Sequence, residues 1–229
     1  MCPMTYVLSV GGSLIAPPSG VDVGFLKALR RFVLTRYDAG DRLVIVAGGG
    51  NTARQYLKAA AAVERVPEED QDWLGIHATR LNAHLVRTLL RDVAYPEIIT
   101  NPNKELKTRA RVLVAGGYRP GWSTDYVAVL LAQKYKAKVV INLSNIDYVM
   151  SQDPRIFPEA KIIKDISWSD FRQIIGSEWH PGLNAPFDPI ASKLASELKL
   201  KVAVINGHKF TNVQKFLNGE SFQGTIIRP

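Results

Sequence analysis

Residues 43–51 read LVIVAGGGN: five apolar residues, Leu43 to Ala47, run into Gly48-Gly49-Gly50-Asn51. A continuous apolar run of that length predicts a strand buried on both faces, as in a parallel sheet. Glycines at its carboxyl end predict a turn where the backbone approaches a ligand closely. The event recurs along the chain. Val7–Val10 runs into Gly11-Gly12-Ser13, and Val139–Leu143 into Ser144-Asn145-Ile146-Asp147. Val112–Ala115 runs into Gly116-Gly117, with Pro120-Gly121 and Ser123-Thr124-Asp125 behind. Open parallel sheets bind ligands outside the carboxyl ends of their strands, where following helices aim unpaired N–H groups at anions. Three glycine-rich loops on one sheet edge are more than one phosphate group needs. The pattern predicts a site holding two phosphorylated molecules side by side, as phosphoryl transfer between them requires.

Outward from these loops, strand–loop–helix alternation continues to the end of the chain, which predicts an α/β fold around a mostly parallel sheet. Helical spacing covers Gly24–Asp38 (Phe25, Leu26, Leu29, Phe32, Val33) and Asn51–Val66, with Asn51 as N-cap. Asp72–Asp92 reads as a long amphipathic helix with Trp73, Ile76, Leu81, Leu85 and Leu89 on one side. Ser123–Tyr135 is a helix capped by Ser123 or Thr124, and Asp188–Leu198 is another. Val202–Ile205 and Gly224–Ile227 read as strands. Two stretches break the alternation and are expected to be irregular and mobile: Tyr148–Glu159, with the Asp153-Pro154 turn, and Glu178–Phe187, with Pro181, Gly182 and Pro186.

The 229 residues are enough for a sizeable core, and 46% hydrophobic with 22% charged residues is the balance of a soluble globular protein. No apolar run approaches the roughly 20 residues of a membrane span, and the sequence opens on a strand without a signal-peptide pattern. The single cysteine, Cys2, leaves no internal disulfide and no multi-cysteine metal site. A cytoplasmic location is the expectation that remains. The net charge of +8 suits small polyanionic ligands. No recognition-helix pattern, arginine-rich tail or interleaved aromatic and basic stripe points to nucleic acid.

Neither common phosphate loop is present. A Walker A loop needs Gly-x4-Gly-Lys-Ser/Thr, and a dinucleotide fingerprint needs Gly-x-Gly-x-x-Gly where this chain has Gly11-Gly12-Ser13-Leu14. Taken in order, however, six segments resemble the amino-acid-kinase superfamily, and within it the archaeal type of uridylate (UMP) kinase. They are Gly11-Gly12-Ser13; Gly48–Asn51 with Arg54; Asp72-Trp73-Leu74-Gly75-Ile76-His77-Ala78-Thr79-Arg80-Leu81-Asn82-Ala83; Gly116-Gly117 through Asp125; Ser144–Asp147 through Asp153-Pro154; and Asp188-Pro189-Ile190-Ala191. The segment 72–83 is the most specific of the six. The resemblance spans essentially the whole chain. It implies a single amino-acid-kinase domain over 1–229, built as a three-layer α/β sandwich, with an acceptor-binding part at roughly 1–140 and an ATP-binding part at roughly 141–229.

The resemblance further implies transfer of the ATP γ-phosphoryl to UMP, giving UDP for pyrimidine nucleotide biosynthesis, with Mg²⁺ carried on the nucleotide phosphates and no metal ligands from the protein. Position by position, it places ATP phosphates on Gly11, Gly12, Ser13 and Gly50, and the adenine side on Ser144, Asp147, Met150 and Asp153. UMP falls to Gly49, Asp72, Tyr118, Arg119, Pro120, Gly121, Trp122, Ser123 and Thr124. Arg54, Asp125 and Asp188 become the catalytic set. On the residues alone, Asp72 and Asp188 read equally as helix caps and Arg54 as a surface arginine. The family is typically hexameric, so a homo-oligomer is the expectation by analogy.

The chain departs from the family at three points. Ser9 stands where the superfamily often has a lysine. Asp147-Tyr148-Val149-Met150 replaces Asp-Gly-Val-Tyr, which relaxes the expected choice of donor nucleotide. Tyr118 stands where threonine is usual. Two other readings stay open: a kinase for another small phosphate or carboxylate acceptor, such as isopentenyl phosphate or carbamate, and a nucleotide-binding relative that has lost catalysis.

Overall fold

A computed structural model describes residues 3–176 and 185–229. The apolar runs become strands β1 (Thr5–Val10), β2 (Arg42–Ala47), β3 (Val112–Ala115) and β4 (Val139–Ser144), and a fifth, β8 (Lys201–Asn206), extends them. Two short strands, β5 (Val149–Met150) and β6 (Ile162–Ile163), form an antiparallel pair apart from the main sheet. β7 (Asp165–Ser167) and β9 (Thr225–Arg228) complete a seven-stranded sheet in the order β3-β2-β1-β4-β8-β9-β7. The first five strands in that order are mutually parallel; β9 runs antiparallel to β8, and β7 parallel to β9.

The chain builds outward from β1 to β2 and β3, then returns to lay β4 on the other side of β1. The β1/β4 boundary is therefore the topological switch point, where connections leave in opposite directions and open a crevice at the carboxyl edge. Gly11 and Leu143 meet there, the Gly11 N–H donating to the Leu143 carbonyl at 2.8 Å.

Because side chains alternate along a strand, each strand feeds two cores. Tyr6, Leu8, Leu43, Ile45, Val112, Val114, Ile141 and Ile205 face one side. They pack on α1 (Gly12–Ile15), α2 (Val23–Asp38), α4 (Glu68–Leu89) and α8 (Phe210–Leu217). Val7, Val44, Val46, Leu113, Val140 and Val204 face the other, against α5 (Thr124–Lys134), α6 (Trp168–Ile175) and α7 (Pro189–Glu197). The result is the expected three-layer sandwich around a mostly parallel sheet. Helix α3 (Gly50–Val63) stands outside the layers, packed on α4, and buries none of its own residues.

Several expectations need correction. Asn51 does not cap α3: the helix begins at Gly50, and the cap residue, Gly49, offers no side chain. Asp72 is not a cap either, because α4 starts at Glu68, where Pro67 fixes the turn and three acidic residues favour the positive helix end. Leu81 does not share the buried side of α4; it is 61% exposed, and the buried face is Ile76, Thr79, Asn82, Ala83 and Val86. The irregular stretch at 148–159 includes β5, and 178–187 lies mainly outside the described residues, as does Cys2. Ser123 and Asp188 do cap their helices, accepting from Tyr126 N at 3.0 Å and Ala191 N at 2.6 Å.

Candidate active site

At the carboxyl edge, the loops after β1 and β2 interlock. A Cβ on Gly12 would fall 2.0 Å from Gly50 N, and one on Gly50, whose φ is +63°, would fall 2.2 Å from Gly12 O. Only two glycines let these backbones touch, and the left-handed conformation at Gly50 favours glycine independently. The Asn51 N–H, which the sequence had suggested lies at a capped helix start, donates instead to Ala16 O at 2.8 Å, tying α3 to the end of α1.

Helix α4 holds the loops that follow β2 and β3. Asn82 Nδ2 donates to Gly48 O at 2.7 Å and Gly49 O at 3.1 Å. The Thr79 hydroxyl donates to Ile76 O and accepts from Gly117 N, both at 2.6 Å. Asp72 Oδ2 accepts from Gly121 N at 2.7 Å. Asp72, Thr79 and Asn82 are separated by seven and three residues, so they share one helix face. The sequence had marked 72–83 as a family signature but had not assigned Thr79 or Asn82; their helical spacing was the available signal.

Between these elements lies a cavity of about 670 Å³. It is lined by Gly12, Ser13, Gly49, Gly50 and Arg54 on one side, Asp72, Gly75 and Ile76 on another, and Trp122, Ser123, Thr124, Asp125 and Asp188 on a third. Residues assigned to the ATP phosphates, to UMP and to catalysis thus meet in one cavity. Arg54 reaches back over it, its Nη2 3.3 Å from Ser13 Oγ. Tyr118, Arg119 and Pro120 do not line it. Arg119 stacks on the Trp122 ring, 4.2 Å from its centroid, and Tyr118 packs edge-on against the same ring.

The adenine-side residues stand apart from this cavity. Asp147 is held by Lys209 Nζ at 2.8 Å and Asn206 Nδ2 at 2.9 Å, and these donors keep its carboxyl below the usual range. Asp153 is engaged by the Arg155 side chain, Nη2 at 2.7 Å, and its pKa falls to about 2. Met150 pairs with Ile162 in the small hairpin, and Ser144 Oγ accepts from Ile146 N. Neither aspartate is free in this arrangement.

The electrostatic core of the cavity is a pair of carboxylates without a cation bound to them among the described residues. Asp125 lines the cavity deep in the protein. Its Oδ1 accepts from Ser9 Oγ at 2.7 Å and its Oδ2 from Asp188 N at 3.2 Å. Burial, with Asp188 nearby, pushes its pKa up to about 6 against the pull of the Ser9 hydroxyl. Asp188 is 6% exposed. Burial also raises its pKa, opposed by the N–H groups of Ala191 and Ile190 and the neighbouring Ser123 hydroxyl, and its Oδ2 has no partner in hydrogen-bond geometry among the described residues. Ser9 explains part of this. Its position on β1 faces the α5 side, where the flanking Val7 is apolar, so a polar residue there is placed to meet Asp125. The sequence had recorded Ser9 only as a missing lysine.

Comparison with known proteins agrees with this geometry. The amino acid kinase family model matches residues 4–206. The uridylate kinase of Methanospirillum hungatei is 36% identical over 226 residues, covering 97% of this chain and 94% of that protein. That of Pyrococcus abyssi is 33% identical over 229 residues, covering 99% and 100%. The crystal structure of uridylate kinase from Archaeoglobus fulgidus superposes with a TM-score of 0.82 at 34% identity, covering 98% of this chain and all of that one. The UMP kinase of Bacillus anthracis, at 21% identity and a TM-score of 0.79, shares the fold. The chain belongs to the amino acid kinase family, and within it to the uridylate kinases.

Proposed function

We propose that this protein transfers the γ-phosphoryl group of ATP to UMP, giving UDP and ADP, at the cavity between α4 and the glycine loops. The observation that carries this reading is the meeting of Asp72, both glycine loops and Arg54 in one space. The acceptor is a phosphate oxygen, already largely ionised at neutral pH because its second pKa is ~6. No general base is required. The task is to bring two polyanions together and neutralise them.

The chain's residues divide that task. The N–H groups of Gly12 and Gly50 receive the donor phosphates, the Gly11 N–H being committed to Leu143 O, and Gly49 with Thr124 receives the acceptor phosphate. Arg54 spans the junction, where a guanidinium gains most as charge redistributes in the transition state. The Asp72 oxygen not held by Gly121 accepts from the ribose hydroxyls. The acceptor nucleoside falls to the part at roughly 1–140 and the donor nucleoside to that at roughly 141–229, with the base beside Ser144, Asp147, Met150 and Asp153, while the donor phosphates reach across to the glycine loops of the first part.

Among the described residues no three histidine, cysteine or carboxylate side chains converge to cage a metal. A Mg²⁺ ion binds through one or two carboxylates plus substrate phosphates, and the unpartnered Asp188 Oδ2 beside Asp125 fits that need. Mg²⁺ would supply charge neutralisation on the donor phosphates, and Asp188 with Asp125 would hold it from the protein side, the phosphates completing its ligands.

Homo-oligomeric assembly, a hexamer by family analogy, is supported by α3, which exposes Tyr56 and Val63 at 62% and 86%. No helix among the described residues is long and apolar enough to cross a membrane. The decisive experiment is turnover with ATP–Mg²⁺ and a panel of acceptors. UDP formation from UMP is expected. Equal turnover of isopentenyl phosphate or carbamate, or none of UMP, would overturn the reading.

A further inference from the structure

Helix α4 sends one more side chain to the acceptor loop. Arg80 Nε donates to Gly117 O at 3.1 Å and Arg80 Nη2 to Tyr118 O at 2.9 Å. Its Cζ lies 6.0 Å from the Trp73 ring centroid, one turn or more back along the same helix. Gly116 is pressed against it, since a Cβ there would sit 3.1 Å from both Cα and Cγ of Arg80. Arg80 is half-buried, and desolvation pulls its pKa down. It forms no ion pair with a carboxylate among the described residues. A half-buried cation balanced only by two carbonyls is a costly surface ornament. Its two bonds do something specific to the loop.

In a planar trans peptide the N–H points opposite to the C=O of the same unit. Drawing the carbonyls of Gly117 and Tyr118 toward α4 turns the next N–H groups, those of Tyr118 and Arg119, away from α4. Neither N–H donates to any backbone group among the described residues. The loop thus holds two oriented, unspent donors beside Trp122 and Ser123, which line the cavity. Uracil and cytosine differ at C4, where uracil carries a carbonyl acceptor and cytosine an amino donor, and at the adjacent N3, a donor in uracil and an acceptor in cytosine. A fixed N–H aimed at the C4 substituent discriminates between them, since cytosine there sets donor against donor.

We propose that Arg80 is a positioning residue for acceptor selectivity: by anchoring the Gly117 and Tyr118 carbonyls it aims the Tyr118 and Arg119 N–H groups so that the loop prefers a uracil over a cytosine nucleotide. The inference rests on UMP being the acceptor. Arg80 touches neither substrate nor reacting phosphate; it acts through the loop.

The test compares parent, Arg80→Lys and Arg80→Met with UMP and CMP as acceptors. In Arg80→Met the KM for UMP should rise about tenfold and the UMP-over-CMP ratio of kcat/KM should fall by a similar factor. The KM for ATP should stay within twofold. Arg80→Lys, with one ammonium for two carbonyls, should fall between, and it is the milder change if the methionine variant folds poorly. An unchanged UMP-over-CMP ratio in the folded variants, or a KM for ATP that rises in step with that for UMP, overturns the inference while leaving the kinase reading intact. A parent enzyme indifferent to UMP and CMP overturns the inference, and one inactive on UMP overturns the kinase reading with it.

Discussion

Ser9 Oγ donates a 2.7 Å hydrogen bond to Asp125 Oδ1, joining the central strand β1 to the first turn of α5 beneath the phosphate cavity. The other Asp125 oxygen accepts from Asp188 N at the head of α7. Three elements thus meet on one carboxylate whose pKa is raised to about 6. A neutral hydroxyl orients that carboxylate without neutralising it, so above about pH 6 a negative charge sits deep in the protein with no cation paired to it among the described residues.

This arrangement predicts a pH signature in the ligand-free protein. A folded pKa above the unfolded value means that the stabilising contribution is full below about pH 3.8 and is lost as pH rises through about 6. Asp125→Asn keeps both contacts, because the amide oxygen can accept from Asp188 N–H and the Ser9 hydroxyl can turn to accept from the amide. At pH 8 this variant should be more stable than the parent by at most about 3 kcal/mol, the difference closing toward pH 4. Urea unfolding of both proteins across pH 4–8 measures it. A constant difference would mean that Asp125 does not titrate in this window. The same variant should be a poor kinase at every pH.

Arg54 makes one long hydrogen bond, to Ser13, and otherwise faces the cavity mouth. Its removal should cost little stability and much rate. Arg54→Ala is expected to lower kcat by about 10²–10³, as for other single electrostatic stabilisers, with smaller changes in KM. An unaltered kcat would make Arg54 an ordinary surface arginine.

Asp72 holds Gly121 N on one oxygen, and the proposed function gives the other oxygen to the UMP ribose. Burial raises its pKa, against the pull of the Gly121 N–H. Asp72→Ala should raise the KM for UMP by an amount equivalent to roughly 1–3 kcal/mol, leaving the KM for ATP nearly unchanged. Equal effects on both substrates would assign the residue to the loop alone.

The contact between Gly12 and Gly50 tolerates no side chain on either partner. Gly12→Ala and Gly50→Ala should each destabilise the protein by more than the ~1–3 kcal/mol of ordinary overpacking, since backbone must move against backbone. Thermal unfolding reads this directly. Gly75→Ala, where a Cβ meets nothing within 4 Å, is the control and should leave the melting temperature unchanged or slightly raised, because alanine favours the helix.

The residues that fixed the architecture were legible because their signal is local. Leu43–Ala47 stopping at three glycines, repeated at Val7, Val112 and Val139, specifies parallel strands buried on both faces with a ligand edge at their carboxyl ends. Ser123 and Asp188 could be placed as helix caps for the same reason: a cap bonds within three residues of itself. Short elements escaped. The β5/β6 pair is two residues a strand and is held by long-range contacts such as Val149 N on Thr225 Oγ1, while α6 and α8 are only eight residues each, so their apolar spacing (Trp168 and Phe171; Phe210, Val213 and Leu217) covers barely two turns. Asp72 and Asn51 were misread as caps because each stands near a helix start whose true position Pro67 and Gly50 decide. Above all, sequence could list Ser9, Thr79, Arg80 and Asn82 but could not connect them to their partners. Ser9 meets Asp125 across 116 positions, and Thr79 meets Gly117 across 38. Which polar groups satisfy one another in the interior is settled only when the switch in strand order folds distant segments onto one edge of the sheet.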